Sequence, residues 1–109
     1  MFNLKGKTCL ITGAAGFLGI EHARALLEEE ANVVLTDINK NNLFLLKDKL
    51  KIEFPQSVIE AIEMDVTNQE SVNDTNEKLK NSNLAVNVLV NNAAVDPKIG
   101  NSASIDSSS

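Results

Sequence analysis

The sequence has no Trp, no Tyr, one Cys and one His among its 109 residues. A single thiol excludes an internal disulfide framework, and with His22 as the lone imidazole there is no ligand set for a structural zinc ion. A reducing, cytoplasmic setting is therefore expected, with no metal site. Without Tyr, no proton transfer by residues 1–109 can use a phenol. No apolar run approaches the roughly 18 residues of a membrane-crossing helix. The opening Met-Phe-Asn-Leu-Lys-Gly-Lys-Thr lacks the basic segment and apolar stretch of an export signal, so neither membrane nor export is expected. Basic residues are the minority, with 10 Lys and Arg against 15 Asp and Glu, and the net charge of -5 argues against nucleic acid as a partner. What is present, 43% hydrophobic residues, is the content of an ordinary folded domain.

Apolar residues fall into two kinds of pattern. Lys7 to Thr12, Asn32 to Thr36, Val58 to Met64 and Asn87 to Val90 carry short, nearly continuous apolar runs, as strands buried on both faces do. Between them, Phe17 to about Glu30, Asn39 to Lys51 and Thr67 to about Asn81 show helical spacing. The second helix has a stripe of Leu43, Leu46 and Leu50, and the third a thin one of Val72 and Leu79. Thr67 followed by Glu70 reads as a capping box, Pro55 stops the second helix, and Glu28 to Glu30 should fray the end of the first. The alternation predicts an α/β, Rossmann-type doubly wound parallel sheet of about four strands and three helices. Residues 1–95 are expected to form this partial domain, one edge of its sheet lacking partners. Residues 96–109, with five Ser, one Gly and one Pro, read as a loop or disordered tail.

The turn between the first strand and first helix, Thr12-Gly13-Ala14-Ala15-Gly16-Phe17-Leu18-Gly19, spaces its glycines three and three. A pyrophosphate needs backbone N–H groups at a helix N-terminus with no side chain in the way, and this turn supplies that arrangement. Gly13 would permit the tight turn, Gly16 the close approach and Gly19 the close packing of helix on sheet. The alternative is a turn that only closes a strand onto a helix.

Asp37 ends the second strand, 18 residues after Gly19, where a carboxylate can accept hydrogen bonds from both hydroxyls of an adenosine ribose. A 2′-phosphate would meet a like charge there. Ala15 stands where a basic side chain could have reached that phosphate, and Lys40 lies three residues beyond Asp37, so NAD(H) is expected over NADP(H). The bland reading of Asp37 is a cap or turn residue before Asn39. Asp65 ends the third strand at the same sheet edge, where it could accept from an adenine amino group or only cap the next helix. Asn91-Asn92-Ala93-Ala94 ends the fourth: its amides can tie strand ends together and its alanines leave room for a ribose.

Taken together, the glycine turn, Asp37, Asp65-Val66 and Asn91-Asn92-Ala93-Ala94 resemble the short-chain dehydrogenase/reductase family over residues 1 to about 95. The resemblance implies a Rossmann fold, a nicotinamide cofactor, and hydride exchange with a small carbonyl or alcohol substrate. It implies cofactor contacts from Gly13, Ala15, Gly16, Phe17, Leu18, Gly19, Asp37, Ile38, Asp65, Val66, Asn92, Ala93 and Ala94. For a complete chain it also implies a homo-oligomer. The middle glycine at Gly16, instead of at the position of Phe17, matches the family's extended branch, whereas Asn91 to Ala94 matches the other branch, with Ala94 in place of a Gly. The mixture points toward sugar-related oxidoreductases such as those of flagellin modification. The family's catalytic Ser, Tyr and Lys have no counterpart here, because there is no Tyr and the last Lys is Lys98. The chain is expected to hold the adenosine half of a cofactor without turnover. Rival readings are a catalytically silent NAD-binding or interaction module and an S-adenosylmethionine-dependent methyltransferase. Cys9 reads as a small buried hydrophobe and His22 as a solvated or capping imidazole.

Overall fold

A computed structural model of the chain describes residues 3–16 and 18–92. Seven elements alternate: β1 (Thr8–Thr12), α1 (Gly19–Glu28), β2 (Asn32–Asp37), α2 (Lys40–Glu53), β3 (Ile59–Glu63), α3 (Gln69–Asn81) and β4 (Val86–Asn91). The strands form one parallel sheet in the order β3-β2-β1-β4. β1 therefore pairs with β2 and β4, its Ile11 opposite Leu35 on one side and Val90 on the other.

Side chains alternate across the two central strands, and each face has its own helices. Ile11, Val33 and Leu35 join Ala23, Leu27, Leu43 and Leu50 in a cluster under α1 and α2. Leu10 and Val34 point the other way, to Met64 and Leu79 under α3. The continuous apolar runs of β1 and β2 are thus two interleaved faces, both covered. Leu43 and Leu50 are fully buried, and burial of each such side chain stabilises by about 2 kcal/mol. β4 ends the sheet on one side and is the least covered strand, with Leu89 61% exposed.

All three helices differ from the sequence reading at their ends. α1 is shorter at both ends: it starts at Gly19 and stops at Glu28, the first acid of the run, where Glu29 caps it and Glu30 turns into the left-handed region (φ 65°). α2 continues past Lys51 to Glu53, with Phe54 as its cap immediately before Pro55. The capping box at Thr67 is not formed. Asn68 is the cap, its side chain accepting the Ser71 N–H at 3.1 Å, because the Thr67 hydroxyl donates to Asp65 instead. The stripe of α3 buries Thr75 with Leu79, and Val72 is only partly covered. Residues 96–109, read as a tail, lie outside the described residues.

Candidate functional site: a cleft at the carboxyl edge of the sheet

Because all four strands run the same way, the residues that end them, Thr12, Asp37, Glu63 and Asn91, collect at one edge. The chain leaves β1 through Gly13, whose φ of 61° suits glycine. The turn is then held by its backbone. Ala14 N–H donates to Thr36 O at 2.9 Å, Gly16 N–H to Gly13 O at 3.0 Å and Gly19 N–H to Gly16 O at 3.2 Å. A Cβ on Gly19 would lie 1.9 Å from the Ala14 carbonyl oxygen, so the close contact that demands this glycine is between the start of α1 and the turn itself. A Cβ on Gly16 would meet only Gly13 O, at 3.1 Å, and the residue is exposed. No side chain caps α1 at Leu18.

Asp37 is tied to this turn. Its Oδ2 accepts the Ala15 N–H at 2.9 Å and its Oδ1 the Asn39 N–H at 2.8 Å. The turn role before Asn39 is therefore real, although the helix cap is Asn39, which accepts from Asn42 N–H. Each carboxylate oxygen still has a lone pair to offer, and Asp37 is half-buried at the cleft wall. The neighbouring strand end is joined to it by Met64 N–H donating to Asp37 O at 3.0 Å.

Asp65 has a comparable setting. Its Oδ1 accepts the Thr67 hydroxyl at 2.6 Å and the Thr67 N–H at 2.9 Å, while its own N–H donates to Ser71 Oγ at 2.9 Å. These two donors from Thr67 hold the Asp65 carboxyl below the usual carboxylate range. On the fourth strand, Asn91 Oδ1 accepts the Thr12 hydroxyl at 2.7 Å, and Asn92 N–H donates to Thr12 O and Oγ1 at 3.2 and 3.1 Å. The two amides tie β4 to β1. The Asn92 side-chain nitrogen is buried and has no partner among the described residues.

Around these groups lies a cleft of about 550 Å³. Gly13, Gly16, Leu18, Asp37, Ile38, Asp65, Val66 and Asn92, all expected from the sequence, line it. Ala15 and Gly19 act through the backbone of the turn. Met64 and Thr67 also line it and were not anticipated; the Asp-x-Thr spacing, which lets a Thr close back on a carboxylate two residues earlier, was the available signal. Phe17, Ala93 and Ala94 lie outside the described residues. Exposed Ile38 and Val66 put apolar surface beside each acid, and no Lys or Arg lines the cleft among the described residues.

An adenosine end of a dinucleotide fits what is present. The uncapped start of α1 and the bare Gly16 leave space and N–H groups for phosphate, the carboxylates offer acceptors to hydroxyl and amino groups, and the Asn92 amide has an unspent donor. The family model described as short chain dehydrogenase matches residues 7–108. The chain belongs to the short-chain dehydrogenase family. This is a family of oxidoreductases that use nicotinamide cofactors and act on small molecules.

Among its relatives in this family, the chain is 36% identical over 104 residues to short chain dehydrogenase/reductase dpmpG of Macrophomina phaseolina, covering 95% of this chain and 59% of that protein. It is 33% identical over 70 residues to post-translational flagellin modification protein A of Campylobacter coli, covering 64% of this chain and 27% of that one. The chain thus spans well under two thirds of these relatives' length. A short chain dehydrogenase structure from Mycobacterium smegmatis superposes with a TM-score of 0.75 at 36% identity, covering 85% of this chain and 39% of that one. Structurally similar proteins hold both cofactors. L-sorbose reductase of Gluconobacter frateurii (TM-score 0.78, 28% identity, 85% of this chain and 35% of that one) is complexed with NADPH. A putative D-mannonate oxidoreductase from Haemophilus influenza (TM-score 0.77, 25% identity, 88% and 34%) has bound NAD.

The remaining reactive side chains stand apart from the cleft. Cys9 is fully buried in β1, and burial pushes its thiol up, which leaves it unreactive. His22, expected to be solvated or capping, is half-buried on α1, and its Nδ1 is buried without a partner among the described residues. No group of three or more His, Cys, Asp or Glu side chains gathers as a metal site among the described residues. None of the described helices is long and apolar enough to cross a membrane.

Proposed function

We propose that residues 1–95 are the NAD-binding part of a short-chain oxidoreductase working in the cytoplasm, with the adenosine end of the cofactor in the cleft between Gly16, Asp37 and Asp65. The observation that carries this is Asp37: a carboxylate fixed by the Ala15 and Asn39 N–H groups at the wall of a cleft without Lys or Arg among the described residues. Such a wall accepts from ribose hydroxyls and repels a 2′-phosphate, which favours NAD(H) over NADP(H). In this reading Gly13, Gly16, Phe17, Leu18 and Gly19 form the pyrophosphate turn, Ala15 braces Asp37, and Ile38 and Val66 flank the base. Asp65 accepts from the base amino group, and Asn92, Ala93 and Ala94 are the remaining cofactor contacts that the resemblance implies.

A bound nicotinamide supplies hydride exchange with the carbon of an alcohol or carbonyl substrate. The proton that accompanies it needs the Ser, Tyr and Lys that the resemblance implies, and residues 1–109 contain no Tyr. We therefore assign residues 1–109 cofactor binding and no turnover of their own; the substrate and the assembly as a homo-oligomer belong to a complete enzyme. A sugar-related substrate is supported by the relative named for flagellin modification and by the likeness to L-sorbose reductase.

The test is calorimetric titration of the chain with NAD, NADP and S-adenosylmethionine. Saturable heat with NAD and weaker binding of NADP are expected, and binding of S-adenosylmethionine alone would make the cleft a methyltransferase site. A second reading is a silent module that holds NAD without chemistry. Both readings expect no hydride transfer from residues 1–109 themselves, so transfer to a panel of carbonyl compounds by a longer protein that carries these residues together with a Ser, a Tyr and a Lys would eliminate the silent module.

A further inference from the structure

We propose that Thr67 is a positioning residue that fixes Asp65 so that the cleft selects a base carrying an exocyclic amino group over one carrying a carbonyl in its place. The inference rests on the cofactor reading above and adds base selectivity to it. Both donors of Thr67 converge on one oxygen of Asp65, the hydroxyl at 2.6 Å and the N–H at 2.9 Å. The main chain of Asp65 is held as well, its N–H donating to Ser71 Oγ at 2.9 Å and its carbonyl accepting the Asn68 N–H at 3.0 Å. Oδ2 is left without a partner among the described residues, on a side chain that lines the cleft beside Thr67 itself.

An ionised carboxylate accepts and never donates. A fixed Oδ2 therefore rewards an amino group and opposes a carbonyl oxygen, acceptor against acceptor. The Thr67 donors also keep Asp65 ionised to lower pH, which denies it the protonated form that could donate to a carbonyl. Removing the hydroxyl frees the carboxylate to rotate and weakens both effects.

Calorimetric titration of the 109-residue chain with NAD and with nicotinamide hypoxanthine dinucleotide, which carries a carbonyl where adenine has its amino group, tests this. The unsubstituted chain should prefer NAD by about tenfold, since an unmatched polar pair is penalised strongly. Thr67→Val, an isosteric loss of the hydroxyl at an exposed position, should shrink that preference by about threefold or more, and Thr67→Ser should restore it. Thr67→Ala repeats the deletion without a β-branched side chain and keeps the test open if the Val variant does not fold. Carbon-detected NMR titration of the Asp65 carboxyl gives a readout without ligand: its pKa should rise in the Val and Ala variants and return in the Ser variant. An unchanged preference in both deletion variants overturns the role of Thr67 and leaves the cofactor reading intact. Failure of the unsubstituted chain to bind NAD overturns both.

Discussion

The Ala15 N–H donates to Asp37 Oδ2 across 2.9 Å, so the carboxylate at the end of β2 braces the glycine turn that follows β1. One side chain thereby shapes the glycine turn and, in the proposed reading, also serves the ribose site. Asp37→Ala should lower NAD affinity by about tenfold, from the loss of charge-assisted hydrogen bonds, and should narrow the gap between NAD and NADP. Calorimetry with both cofactors checks this. Unchanged affinity for both would remove Asp37 from the site.

Gly19→Ala tests the turn from its other side. The added carbon would lie 1.9 Å from the Ala14 carbonyl oxygen, and no flexible side chain is there to yield. The substitution should destabilise the fold by about 3 kcal/mol or more, beyond the usual cost of overpacking, read as a lowered urea midpoint. A variant as stable as the parent would contradict the close contact at the start of α1.

Gly16→Val should behave in the opposite way. The nearest neighbour of the added carbon is Gly13 O at 3.1 Å and the residue is exposed, so the fold should survive. NAD binding should nevertheless be lost, because the side chain would occupy the phosphate's approach to the turn. Circular dichroism and calorimetry on the same sample separate the two effects.

Stability at acid pH should depend on the pair that joins α1 to α2. Arg24 donates twice to Glu53, at 2.8 Å for each bond, and this holds the Glu53 carboxyl below its ordinary value. The folded chain thus releases the proton at lower pH than the unfolded chain, so the stabilisation is whole above the ordinary carboxylate range and is lost as pH falls through the lowered Glu53 value. Asp65 contributes with the same sign. The pair is at the surface, so the effect is small and weakens with salt. Urea midpoints measured across this pH range should fall less steeply in Glu53→Gln than in the parent.

Much of this architecture was legible in the residues. The unbroken runs of Cys9 to Ile11 and Val33 to Leu35 mark strands covered on both faces, and parallel strands gather their ends at one edge. Gly16, Asp37, Asp65 and Asn92 were therefore expected to be neighbours, and they share one cleft. Local competition was harder to read. Thr67 and Asn68 are both good cap residues, and the choice depended on Asp65 taking the Thr67 hydroxyl. The last two residues of α2 carry little signal, because Ile52, 81% exposed, lies off the stripe of Leu43, Leu46 and Leu50, although the helix stops before Pro55 as the sequence implies.

Whether the cleft at the carboxyl edge holds the adenosine end of NAD is tested most directly by a nitrogen-15 NMR titration of the chain with NAD and, separately, NADP. The account predicts saturable shifts clustered at Gly16, Leu18, Asp37, Asp65 and Asn92, reached at lower concentration with NAD than with NADP. Saturable shifts elsewhere on the chain, or none with NAD, would contradict it.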